Sequence, residues 1–233
     1  MSEYLTDLGI GDYKILQDTE TYAFSQDSVF LANMAKLSPR DSVLDLGCGS
    51  GILATLALIK RKVKYAVGID VNPRICDMAK RSAQMNGLNL KIIQGDVKDI
   101  NKYLPAESFD KILCNPPYFA NSSKIAKGDT GLARSESTAT LDDFVRSASY
   151  ALRFGGDLYI VIKCARLQTL MSALTKYNLS AKEMILIYPK LSKGADAVIV
   201  GARKGGKEGL ITRTFIAQNE DGSFTDEYNA LYK

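Results

Sequence analysis

The run Val43-Leu44-Asp45-Leu46-Gly47-Cys48-Gly49-Ser50-Gly51 constrains this chain more than any other stretch. In it an apolar strand passes directly into a loop with glycine at every second position. Lacking Cβ atoms, those glycines let a ligand approach the main chain and let the turn enter φ > 0. Ile52-Leu53-Ala54-Thr55-Leu56 then reads as a helix, whose first free N–H groups point back at whatever the loop holds. Strand, glycine turn and helix together predict a parallel crossover that cradles a nucleotide-like ligand. The spacing D-x-G-x-G-x-G differs from the dinucleotide pattern G-x-G-x-x-G, and Asp45 disfavours a pyrophosphate while suiting a ligand with a cationic end.

The same logic repeats along the chain. Tyr65-Ala66-Val67-Gly68-Ile69-Asp70 is an apolar run of the kind a doubly buried parallel strand needs. It ends in an acid about twenty residues beyond the glycines, where a carboxylate accepts from ribose hydroxyls. Asn72-Pro73 opens a helix over 74–86 that Gly87 closes. Lys91-Ile92-Ile93-Gln94 is a further strand, and Gly95-Asp96-Val97 again puts an acid at a strand end. Asp96 is suited equally to an adenine amino group and to capping the next segment. Phe109-Asp110-Lys111-Ile112-Leu113-Cys114 is a fourth strand, Thr140-Leu141-Asp142-Asp143 a capping box for a helix through 154, and Asp157-Leu158-Tyr159-Ile160-Val161-Ile162 a fifth strand. A helix over 166–177, paired strands at 182–188 and 197–203, and a tail of one strand and a helix complete a doubly wound, mostly parallel α/β sheet with an antiparallel edge.

Length fits one domain: a lead-in or lid over 1–40, a core over 41–203 and an extension over 204–233. In the lead-in, Ser25 is placed to cap a helix that Pro39 forbids from continuing. Phe24 and Asp27 there suit stacking on and hydrogen bonding to a ligand, and suit equally a core aromatic and a first-turn acid. The chain contains no histidine, which removes imidazole bases and Ser/His/Asp triads, and its four cysteines form no C-x-x-C pair, so no metal site is expected. A net charge of +4 permits a polyanionic partner without requiring one. The amino terminus lacks a signal-peptide pattern and no apolar run reaches membrane-spanning length, so a cytoplasmic location without a membrane or an obligate protein partner is expected.

The fourth strand ends in Asn115-Pro116-Pro117-Tyr118. The prolines fix φ and donate no hydrogen bonds, which holds a rigid extended turn with outward-facing carbonyls. Asn115 Oδ1 and the Pro116 carbonyl are placed to accept the two N–H bonds of an exocyclic amine, and Tyr118 offers a face for an unstacked base. N-P-P-Y after D-x-G-x-G-x-G resembles the class I S-adenosylmethionine-dependent methyltransferases that modify adenine N6, guanine N2 or protein glutamine. The layout lacks the helical leader, inserted recognition domain or duplicated domain of several such groups. It is most similar to the compact bacterial family that methylates adenosine N6 at position 37 of a valine tRNA. The resemblance covers nearly the whole chain, including Tyr22-Ala23-Phe24-Ser25-Gln26-Asp27-Ser28-Val29-Phe30-Leu31, Ala133-Arg134-Ser135-Glu136 and Tyr188-Pro189-Lys190, and departs at Ser135, where relatives tend to carry histidine.

The resemblance implies a seven-stranded Rossmann-like fold and a catalytic segment of Asn115, Pro116, Pro117 and Tyr118. It implies S-adenosylmethionine held by Phe24, Asp27, Asp45, Gly47, Cys48, Gly49, Gly51, Asp70, Val71, Asp96, Val97 and Asn115. Lys124, Lys127, Arg134, Arg203 and Lys204 are candidate contacts to a tRNA substrate, and each reads equally well as solvated surface charge. The same motifs serve a methyltransferase for rRNA guanine N2, DNA adenine N6 or protein glutamine, or a non-catalytic RNA- or cofactor-binding module.

Overall fold

The computed structural model describes residues 3–19, 23–117 and 139–232. At its centre lies an eight-stranded sheet built from β3 (Ser42–Leu46), β4 (Tyr65–Asp70), β5 (Leu90–Gln94), β6 (Phe109–Cys114), β7 (Leu152–Lys163), β8 (Leu179–Lys190), β9 (Ala197–Lys204) and β10 (Ile211–Gln218). Their spatial order is β10-β8-β9-β7-β6-β3-β4-β5. Strands β3 to β7 run parallel, and β9 lies antiparallel to both its neighbours. The eighth strand is β10, supplied by the carboxyl-terminal extension and paired parallel to β8, one more than the seven expected.

Consecutive strand residues feed opposite cores, as the pleat requires. Leu44, Ile112, Leu158 and Val198 pack under α4 (Leu141–Ala151) and α5 (Leu167–Lys176). Val43, Leu113, Val161 and Ile199 pack under α1 (Gln26–Met34) and α2 (Ile52–Arg61), with Tyr228 of α6 (Asp226–Ala230) closing the edge. Helix α3 (Pro73–Met85) starts as expected, with the Asn72 side chain accepting from Arg74 and Ile75 N–H groups. Ahead of the sheet, β1 (Glu3–Asp7) and β2 (Lys14–Asp18) form a hairpin that no sequence pattern announced. It is clamped on α3: Leu16 N–H donates to Ser82 Oγ at 2.9 Å, and Arg81 grips both carboxylate oxygens of Glu3 at 2.8 and 2.6 Å.

Helix α4 opens on the expected capping box, Thr140 with Asp143, but ends at Ala151 rather than 154. The N–H groups of Glu107 and Ser108 take the carbonyls of Tyr150 and Ala151 at 3.0 and 2.9 Å, drawing Leu152 into the sheet beside Phe109. Gly155 and Gly156 sit in the strand where its register shifts. A Cβ on Gly156 would lie 2.9 Å from the Asp110 carbonyl oxygen, so the close approach there requires glycine. Among the described residues no helix is long and apolar enough to cross a membrane.

Candidate active site

From β3 the chain moves through β4 to β5, then returns to place β6 on the other side of β3. The loops leaving β3 and β6 therefore diverge, making the switch point at which open α/β sheets bind ligands. The glycine loop leaves β3 there, and Asn115 leaves β6 beside it.

Gly47, Gly49 and Gly51 adopt φ of +76°, +51° and +79°, the region that glycine alone enters at no steric cost. The loop folds over the end of β4, since Gly47 and Cys48 N–H groups both donate to the Ile69 carbonyl at 2.9 Å. Gly49 N–H donates to Asp70 Oδ2 at 3.0 Å, joining the first two strand ends directly. A Cβ built on Gly49 meets nothing within 4 Å, so the loop lies open on that side, whereas one on Gly47 would come within 2.9 Å of the Phe144 ring.

Asp45 is fully buried beneath the loop. One carboxylate oxygen accepts from Ala54 N–H at 3.0 Å in the first turn of α2, while Oδ1 has no hydrogen-bond partner among the described residues. Burial, with a smaller contribution from the Asp70 charge, pushes this carboxyl well above the usual carboxylate range. A cation brought to the loop would favour the charged form of this carboxyl and face the unpartnered Oδ1. Asp70 accepts from Gly49 N–H on one oxygen and from Asn72 N–H at 2.9 Å on the other, which leaves each oxygen able to accept again. Val71 follows, 51% exposed, as an apolar face beside that carboxylate.

Asp96 is committed locally. Its Oδ1 accepts from Lys98 N–H at 2.9 Å and its Oδ2 lies 3.4 Å from Lys98 Nζ, so the residue caps the short turn over Val97–Lys102. Val97 is 5% exposed and packs in the core under α4. Phe24 is half-buried against the α1 and α2 core, its N–H held by Gln17 Oε1 of the hairpin at 3.0 Å. Asp27 lies 3.7 Å from Lys163 Nζ at the end of β7.

Asn115 carries the sharpest feature of the rim. Its Nδ2 donates to Ser28 Oγ at 2.9 Å and Ser25 Oγ at 3.3 Å, both on the amino-terminal turn of α1. Its Oδ1 is buried with no partner among the described residues. Pro116 is buried behind it and Pro117 exposed. Tyr118, Lys124, Lys127 and Arg134 lie outside the described residues. Arg203 and Lys204 lie at the opposite end of the sheet, where Arg203 grips Asp157 at 2.8 and 3.1 Å and Lys204 pairs with Glu107 at 3.0 Å. The structure does not bring those two cations to the rim.

Sequence reasoning missed Ser25 and Ser28 as partners of Asn115. Ser25 does occupy the N-cap position of α1, yet its side chain makes no cap bond because it serves the asparagine instead. The signal was present in the i, i+3 spacing that puts both hydroxyls on one helix face. Thiol chemistry is disfavoured: burial pushes Cys48 and Cys114 well up, and Cys76 to about 11, so all three stay protonated near neutral pH. Among the described residues no three side chains gather to hold a metal ion.

S-adenosylmethionine fits this donor set. Its cationic end would face the unpartnered Asp45 oxygen, its ribose hydroxyls would meet Asp70, and the side of the loop open at Gly49 leaves room along the main chain.

Known proteins share this fold. A predicted O-methyltransferase of Agrobacterium tumefaciens superposes with a TM-score of 0.71 at 20% identity, over 88% of this chain and 95% of that one, which establishes a shared fold. A tRNA1(Val) (adenine(37)-N6)-methyltransferase of Shewanella halifaxensis is 29% identical over 156 residues, which is 66% of this chain but only 63% of that relative. One of the same name from Shewanella sp. (strain MR-4) is 24% identical over 219 residues, 90% of this chain and 89% of the relative. Residues 23–184, from Ala23 through the whole rim and into β8, match the family described as Methyltransferase small domain, and the chain belongs to that family.

Proposed function

We propose that this protein transfers a methyl group from S-adenosylmethionine to the exocyclic N6 amine of an adenosine in tRNA. Position 37 of a valine tRNA, named in the relatives' description, is the proposed target. The observation that carries the reading is the buried, unpartnered Oδ1 of Asn115 at the switch point. An unpaired acceptor there costs about 1–3 kcal/mol in the free protein. An arriving N–H donor relieves that cost, and a neutral exocyclic amine is such a donor.

When bound, the cofactor supplies an electrophilic methyl on a cationic sulfur. Asp45, the Gly49 main chain and Asp70 would hold it, and Asn115 Oδ1 would accept one amine N–H while the Pro116 carbonyl would accept the other. Those two acceptors draw the nitrogen lone pair out of ring conjugation and fix its direction. No strong base is needed, because the product amine sheds its proton after transfer, in keeping with a chain that has no histidine. Orientation of this kind is worth about 7–11 kcal/mol of barrier. Tyr118 is the proposed stacking face for the base, Lys124, Lys127 and Arg134 the proposed phosphate contacts, and the cytoplasm the proposed location.

The test is methyl transfer from labelled cofactor to total tRNA, DNA and protein extract in parallel, followed by nucleoside mass spectrometry. N6-methyladenosine in valine tRNA is the expected product. Label confined to DNA or to a protein glutamine would reassign the acceptor, and no transfer despite cofactor binding would leave a binding module.

A further inference from the structure

An asparagine amide can turn over end for end, exchanging an acceptor for a donor with almost no change in shape. At position 115 that exchange decides whether the chemistry runs, because an NH₂ group facing an amine presents donor to donor. We propose that Ser25 and Ser28 are positioning residues that lock the Asn115 amide with Oδ1 toward the acceptor nitrogen. This rests on the amine-transfer reading above and names the part of the site that reading did not contain.

Four observations carry it. Both N–H bonds of Nδ2 have an acceptor, Ser28 Oγ at 2.9 Å and Ser25 Oγ at 3.3 Å, so the amide nitrogen is fully occupied on the side away from the rim. The oxygen is buried and unpartnered among the described residues; with the amide turned over the serine hydroxyls could donate to it, but two N–H groups would then be buried without acceptors in its place, which disfavours that orientation. Ser25 makes no side-chain cap bond to the first turn, as an N-cap serine normally does, and its oxygen accepts from Asn115 instead. Ser28 is only 4% exposed, one helical turn from Ser25, and α1 is fixed on the sheet by Phe30, Leu31 and Ala32. The two oxygens are therefore held by a rigid element, as orientation of a reacting group requires.

The arrangement also ties turnover to the amino-terminal region. The hairpin holds Phe24 through Gln17, Phe24 precedes Ser25, and Ser25 holds Asn115, so a segment with no group at the reacting nitrogen bears on the direction of the side-chain acceptor that touches it.

The experiment compares wild type with Ser25→Ala, Ser28→Ala and the double substitution, each alone and combined with Asn115→Ala. Methyl transfer is measured under single-turnover conditions, cofactor affinity by calorimetry and melting by circular dichroism. A misdirected acceptor of this kind costs up to about 100-fold. The double substitution should lower the rate about 10- to 100-fold with cofactor affinity and tRNA affinity unchanged. In the Asn115→Ala background the same serine substitutions should cost nothing further, since they act only through the amide. Ser25→Thr, which keeps the hydroxyl, should restore the rate lost in Ser25→Ala. A second readout needs no RNA: the Asn115 side-chain amide protons, followed by nitrogen-15 NMR of the free protein, should exchange slowly in wild type and lose protection in the double variant. A rate unchanged by the double substitution, a loss that persists without Asn115, or amide protons unprotected in wild type would each overturn the assignment. If the protein methylates no RNA at all, the amide measurement still decides the orientation, so the two readings fail separately.

Discussion

Gly68 is the point at which core packing and the cofactor loop meet, and alanine there should damage both. Gly68 lies mid-strand in β4, opposite Asp45 of β3. A Cβ added to it would stand 2.8 Å from Cys48 Sγ, 2.8 Å from Ile92 Cδ1 and 3.0 Å from Cys48 Cβ. Carbon contacts relax to about 3.5–4.0 Å, so the neighbours must yield by about 0.7 Å on two sides. Neither has room: Cys48 and Ile92 are both buried, and Cys48 N–H is bonded to the Ile69 carbonyl. Overpacking of this kind costs about 1–3 kcal/mol. Lower entropy of the unfolded chain offsets about 0.4–1 kcal/mol of it, leaving a net loss of about 1–2 kcal/mol. Urea unfolding should register that loss as a lower midpoint at constant slope. Because Cys48 sits between Gly47 and Gly49, the part of the strain that moves the loop should weaken cofactor binding in calorimetry. Ile92→Val deletes the clashing Cδ1 and Cys48→Ala the clashing Sγ. Each should cost less in the Gly68→Ala background than in wild type, with a coupling of about 0.5–3 kcal/mol. A Gly68→Ala protein with wild-type midpoint and cofactor affinity, or strictly additive combinations, would refute this reasoning.

Asn115→Ala should lower methyl transfer about 100- to 1,000-fold, the usual cost of one preorganised polar group at a reacting centre. Its stability should barely change, since two lost hydrogen bonds of about 0.5–1.5 kcal/mol each are balanced by removal of a buried, unpaired oxygen worth about 1–3 kcal/mol. Wild-type turnover in that variant would remove Asn115 from the reaction. Asp70→Ala should act earlier, weakening cofactor binding about tenfold or more by loss of charge-assisted hydrogen bonds. Unchanged affinity in calorimetry would remove Asp70 from the site. For Asp157, burial favours a raised pKa, but the Arg203 guanidinium and the Lys111 ammonium outweigh it and hold the carboxyl below its ordinary value. A depressed folded pKa gives stability that is fully present above the unfolded carboxylate range and lost as pH falls through the folded value. Asp157→Asn should therefore destabilise at pH 7, near the low end of about 3–5 kcal/mol because Arg203 is half exposed, and the difference from wild type should shrink toward pH 3. An equal gap at pH 3 and pH 7 in urea titrations would contradict that assignment.

The parts of this protein legible in the sequence are those where backbone geometry and side-chain chemistry coincide. Three phased glycines with an acid before them located the loop, and strands β3 to β6 followed from short apolar runs bounded by glycine, acid or asparagine. What escaped was decided between segments distant in sequence. The hairpin over Glu3–Asp18 is amphipathic only relative to α3, whose Ser82 and Asn86 receive its backbone. Helix α4 stops at Ala151 because residues 107 and 108 take its last carbonyls, which no pattern within 140–154 encodes. Ser25 follows the same rule. Its position fits a cap, and only the fold shows that its oxygen is needed 90 residues away.

The two ends of the sheet differ in what folding leaves unpartnered, and that difference points to the site independently of any motif. At the amino end of the strands the ionic groups satisfy one another: Lys111 and Arg203 share Asp157, Arg153 pairs with Asp110, Lys204 with Glu107, and Arg213 and Lys36 with Glu183. At the carboxyl end the folded chain leaves Asp45 Oδ1 and Asn115 Oδ1 buried without hydrogen-bond partners among the described residues. Folding alone would not select two such atoms, each a destabilising group, at the one place where the strand order opens a crevice. A ligand that is cationic at one end relieves Asp45, the neutral amine that receives its methyl group relieves Asn115, and the stability withheld from the free protein reappears as binding and orientation. Cofactor and tRNA should therefore each raise the melting temperature, the first by less in Asp45→Ala and the second by less in Asn115→Ala. Equal gains in those variants would mean that the two oxygens meet neither ligand.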